Sequence, residues 1–178
     1  MNFRLKLGLI IAVGLILGLA ARSYLAPQQE RTAAAINLFQ DICVPFSKRE
    51  ETERRIRKSG LVPVGLDQNW ADPESKFVLE IGALHCAISD TLLRLTKVEQ
   101  DRFETLVVEL VEHDFPMLGL VESYGTEDWD VFQHWSQYDE GDDRNWGILL
   151  SRNSSEEGPE DRLFDRSHTV LRISIAKQ

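Results

Sequence analysis

Few residues in this 178-residue chain are suited to chemistry, and the two cysteines, Cys43 and Cys86, come first. His85 sits beside Cys86, which invites a nucleophile-and-base reading. Neighbours on a strand point to opposite faces, however, so a catalytic Cys86 would need His113, His134 or His168 to approach it in space. Two cysteines on separate core elements of an exported domain suggest one disulfide instead. A bridge closing the loop of about 43 residues between them would stabilise by about 3–4 kcal/mol in the chain-entropy account. Two buried free thiols are the other reading at this point.

The four histidines form no H-x-H or H-x-x-x-H pair, and neither cysteine has a partner at zinc-finger spacing, so no metal site is predicted. Two acidic clusters, Glu127-Asp-Trp-Asp130 and Asp139–Asn145, raise calcium. In the second, glycine falls too early and Arg144 interrupts the alternating oxygen ligands, so a solvated turn is the better reading. No G-x-S-x-G elbow and no phosphate-cradling glycine loop is present. The sequence therefore assigns no catalytic residue, no cofactor and no metal. Trp129, Trp135 and Trp146 are the remaining unusual group: Trp129 and Trp135 share a face of one predicted strand, and Trp146 faces them across a hairpin. Cross-strand aromatic packing in the core accounts for them. An open face carrying the same three would be a ligand groove.

These residues need elements to position them. A helix is predicted over Thr32–Val44, with Ile36, Phe39, Gln40 and Cys43 in helical phase, stopped by Pro45. Ser47 to Glu50 has capping-box spacing, and the acid-first, base-last helix it opens ends at Gly60. Leu61–Pro73 reads as loop. Residues 76–90 form either a hairpin turning at Gly82-Ala83 or one strand bulged at Gly82. Thr96 and Glu99 form another capping box, opening a helix with Phe103, Leu106, Val107, Leu110 and Val111 on one face and ending before Pro116. Strands follow at Trp129–Tyr138, Asn145–Arg152 and Thr169–Ala176, the last with Leu171, Ile173 and Ile175 in phase. The expected fold is α+β, with helices packed on one face of a mostly antiparallel sheet, in the order α-α-β(β)-α-β-β-β after an N-terminal apolar helix. No internal repeat is visible.

Charge is distributed unevenly. The chain carries 20 basic and 29 acidic residues, net −9, yet residues 1–22 hold Arg4, Lys6 and Arg22 and no acid. The rest is strongly acidic, which argues against a nucleic-acid partner. Leu7 to Ala21 runs without a polar side chain behind Arg4 and Lys6. A basic start and a short apolar run make a secretory signal, with Gly18-Leu-Ala20 as a cleavage site, or a short uncleaved anchor flanked by Arg22 and Tyr24. Residues 1–25 are read as signal-anchor or signal peptide, with residues 5–21 in the inner membrane. Residues 26–31 are read as linker, and 32–178 as a single exported domain facing the periplasm.

Phe39-x-x-x-Cys43-Val-Pro-Phe46, a helix ending at Gly60-Leu-Val-Pro63, and Cys86 in an apolar strand region together resemble small two-cysteine envelope proteins of proteobacteria. The resemblance spans residues 33–90. It implies a periplasmic setting and a Cys43–Cys86 disulfide, and it supplies no catalytic residues. The expected function is a non-catalytic module that binds an envelope protein or another envelope component. The alternatives are a small hydrolase using Asp130, His134 and His168, and a small-molecule binder using Trp129, Trp135 and Trp146.

Overall fold

The computed structural model describes residues 30–47, 52–65, 68–121, 130–137, 146–152 and 169–174. The leader, residues 26–29 of the expected linker, Trp129 and His168 lie outside these residues, while Glu30 and Arg31, read as linker, are already helical. Among those described, no helix is long and apolar enough to cross a membrane.

Helix α1 covers residues 30–47 and buries Ala35, Ile36, Leu38, Phe39, Ile42 and Cys43. Pro45 does not stop it, contrary to expectation. The preceding stretch, Phe39–Cys43, is a π turn, and the Val44 amide donates to the Phe39 carbonyl, five residues back. The wider turn relieves the clash and the lost amide bond by which proline normally breaks a helix, so Val44–Ser47 stays helical. Ser47 donates its hydroxyl to the Val44 carbonyl (2.6 Å), closing α1; Glu50, its expected capping partner, lies outside the described residues. Helix α2, Thr52–Lys58, ends with Gly60 in the left-handed region (φ 73°), as its sequence requires.

Eight strands form one antiparallel sheet: β1 Val62–Pro63, β2 Asn69–Ala71, β3 Val78–Ile81, β4 His85–Ser89, β5 Gly119–Val121, β6 Asp130–Gln137, β7 Trp146–Arg152 and β8 Thr169–Ser174. The α+β class holds, but the expected strand count does not. Residues 61–73, read as loop, contain β1 and β2, registered Val62 to Ala71 and Pro63 to Trp70. Strands of two and three residues are too short to show alternation, and Pro63 is tolerated because an edge strand needs no donor on its outer side. Strand β5 was missed for the same reason. Residues 78–89 are a hairpin closed by the Gly82 amide on the His85 carbonyl (2.8 Å). In β6 the register shifts between Val131 and Gln133, so the simple alternation expected along this strand breaks there.

The strand order β1-β2-β3-β4-β8-β7-β6-β5 is a palindrome. Each half is a helical segment followed by a four-stranded meander, and the halves meet where β4 pairs with β8. This is a repeat of topology with no trace in the sequence. Helix α3, Lys97–Asp114, opens the second half with the predicted capping box, Thr96 with Glu99. Both α1 and α3 pack on one side of the sheet. One core joins Phe39, Ile42, Phe103 and Val107 from the helices to Leu79, Ile88, Ile148, Leu171 and Ile173 from the strands. Phe77 and Phe103 stack at 5.3 Å within it.

Candidate functional site

Cys43 and Cys86 form a disulfide with Cα atoms 5.3 Å apart, and both residues are fully buried. The bridge ties α1 to β4 and removes the free-thiol and nucleophile readings. Trp135 is a core residue on β6, only 6% exposed. Trp146 packs edge-on to Phe115 at 5.8 Å, and its indole N–H donates to Gln137 Oε1 (3.1 Å). These two tryptophans thus serve the helix-covered face. Of the proposed hydrolytic group, only His134 has a described side chain. His113 lies on the exposed end of α3, 2.6 Å from Asp114. Among the described residues, no three His, Cys, Asp or Glu side chains converge as metal ligands.

The other side of the sheet carries the groups that the sequence did not bring together. Residues paired across an antiparallel ladder share a face, so the register reads out transverse rows. One row runs His134, Leu149, Arg172, Ala87, Glu80, Asn69 from β6 to β2. The next row is Ser136, Gly147, Ser174, His85. None of these positions lies in the helix-side core.

His85 Nε2 is 2.9 Å from Glu80 Oε1, a half-buried pair formed across the β3–β4 hairpin. The imidazole lies directly over Gly82, where an added Cβ would stand 2.3 Å from His85 Cε1, so a side chain there would have to displace the ring. At Gly147 the neighbour is backbone and cannot swing aside. A Cβ there would meet the Trp135 carbonyl oxygen at 2.4 Å.

His134 Nδ1 and Arg172 Nε are both buried atoms without a hydrogen-bond partner among the described residues. They flank Leu149 in one row. With strands about 4.8 Å apart, their backbones stand about 10 Å apart. Buried polar atoms are nearly always satisfied, so these two nitrogens in one row stand out as donors or acceptors whose partners are not among the described residues. The row offers hydrogen bonding and positive charge, and the described partner of His85 is Glu80.

A second concavity lies between α1 and the β2–β3 connection. It is a cleft of about 390 Å³, open to solvent and edged by Glu30, Asp41, Asp72 and Glu74. Asp72 is used internally, accepting from the Ser75 amide and hydroxyl. This cleft is a solvated acidic surface.

Sequence reasoning missed Arg172, Glu80 and the small residues between them. Their signal was the polar phase of β8, Arg172 and Ser174 alternating with Leu171 and Ile173, which reads as ordinary solvent-facing positions. Comparison with protein families, with curated proteins and with solved structures finds no match, so function must be argued from these groups.

Proposed function

We propose that this protein is a non-catalytic binding module of the cell envelope, held at the outer face of the inner membrane by residues 5–21 or released to the periplasm by cleavage. It holds an envelope partner or component on the sheet face opposite the helices. The observation that carries this reading is the row containing His134 and Arg172, on either side of Leu149, whose Nδ1 and Nε have no partner among the described residues. A ligand offering carboxylate or similar acceptor oxygens fits these groups, because a guanidinium binds such oxygens through charge-assisted hydrogen bonds. The Cys43–Cys86 bridge is compatible with an oxidising, extracytoplasmic compartment.

Crosslinked pull-down from the envelope with the full chain, beside its Arg172→Leu and His134→Leu variants, tests the reading. A partner captured by the unsubstituted chain and lost by both variants is expected. Equal capture by all three would remove this face as the binding site. Fractionation, with N-terminal sequencing of the mature protein, separates anchor from cleaved signal.

A further inference from the structure

We infer that the β4–α3 connection is a membrane-contacting tip, in which Leu92, Leu93 and Val98 rest on the bilayer interface beside the point where the chain leaves it. This inference rests on the reading of residues 5–21 as a membrane anchor.

The connection is held rigidly and yet exposes apolar side chains. Asp90 is fully buried, and its carboxylate accepts from the Leu95 amide (2.9 Å) and the Thr169 amide (3.0 Å). The Leu93 amide closes a turn on the Asp90 carbonyl (3.1 Å), and Leu95 turns into the core. From the other side Arg31 clamps the loop, donating to the carbonyls of Leu93 and Arg94. Between these supports Leu92 is 47% exposed and Leu93 52%, and Val98 in the first turn of α3 is 57% exposed. A loop that only joined a strand to a helix would gain nothing by presenting leucines to water from so fixed a frame. A cluster of exposed apolar side chains marks an interaction surface.

The chain itself names the occupant. Arg31, which grips this loop, stands in the first turn of the described part of α1, and the apolar run ends at Ala21. Residues 22–29, even fully extended, span only about 30 Å. An anchor in the membrane therefore keeps the Arg31 end of the molecule, with the tip beside it, within about 30 Å of the bilayer, close enough for the tip to touch it. The Arg31 end also bears the acids Glu30, Asp72 and Glu74, but the tip itself carries exposed Arg94 beside its leucines, and Glu99 and Asp101 are engaged by Arg31 and Lys97. An apolar wedge flanked by a cation suits an interface with anionic headgroups.

The test uses the full chain reconstituted into phosphatidylethanolamine–phosphatidylglycerol vesicles. A bimane label is placed at Leu93→Cys, at Val98→Cys as a second tip position, or at Glu112→Cys as control. The native cysteines are bonded to each other, so only the new thiol reacts. Glu112 is exposed and lies about 21 Å along α3 from Val98, at 1.5 Å per residue. Loss of emission under brominated lipid at both tip positions, with emission retained at Glu112, is expected. Adding Leu92→Asp should reduce the loss at Leu93. Equal quenching at tip and control in chain that sediments with the vesicles would overturn the tip while leaving the anchor intact. Chain that stays in the supernatant would overturn both.

Discussion

The two halves of the sheet share a topology, a helical segment and then a four-stranded meander, but they are held together by different means. The first half, through β4, carries the Cys43–Cys86 bridge and the buried Arg31, whose Nε donates to the Ser75 carbonyl (2.6 Å). Arg31 also reaches across to the second half, with Nη1 3.3 Å from Glu99 Oε1 on α3, and the fully buried Asp90 after β4 accepts from the Thr169 amide of β8. The described part of the second half relies on apolar packing beneath α3 and on the long β6–β7–β8 ladders. The unpaired nitrogens of His134 and Arg172 lie in that half. One half is thus built for fixed geometry beside the predicted anchor. The other carries polar groups that nothing in the described structure satisfies.

Removing the bolt should expose this contrast most strongly. Arg31→Ala leaves Glu99 buried without its cation, a change that costs about 3–5 kcal/mol when one partner of a buried pair is deleted. Denaturant unfolding should show that loss. Native-state hydrogen exchange should show amides of the 90–96 connection and β3 opening earlier than those of β7. If β7 opened equally early, the halves would not differ in the way argued here. Removing the covalent tie comes next: the double substitution Cys43→Ala and Cys86→Ala should cost about 3–4 kcal/mol by loop-closure entropy. The same unfolding measurement reads it, with reduction of the unsubstituted protein giving a loss of similar size. The smallest effect belongs to the second half. Gly147→Ala drives a Cβ onto the Trp135 carbonyl, and overpacking of this kind costs about 1–3 kcal/mol. The earlier exchange should be confined to β6 and β7; spreading to β3 would show that the halves behave as one unit.

How far the sequence could be read depended on the length of each element. Helix α3 was legible because its cap, apolar stripe and terminating Phe115-Pro116 all agree over 18 residues. The hairpin at Gly82 was one of two readings, since the sequence could not say that the His85 ring would lie over that glycine. Strands β1, β2 and β5 were invisible because two or three residues cannot display a period. The continuation of α1 through Pro45 was hidden because the π turn that permits it is a matter of backbone packing. Arg31 gave no sign of its role. A single arginine at the end of a predicted linker reads as solvated until three distant segments converge on it.

By itself the sequence determined the α+β class, the α3 boundaries, the apolar leader and the choice of cysteines available for bridging. Those properties follow from local periodicity, capping chemistry and composition, which act within a few residues. Tertiary structure alone decided that β4 and β8 pair at the centre of a palindromic sheet. That pairing brings Arg172 beside Ala87 and within one row of Glu80 and His134, residues drawn from four strands between positions 80 and 172. Strand order is set by which long-range pairings bury the apolar faces of the whole chain, and no local pattern encodes that choice. The candidate site lies across those pairings, so it became visible only with them.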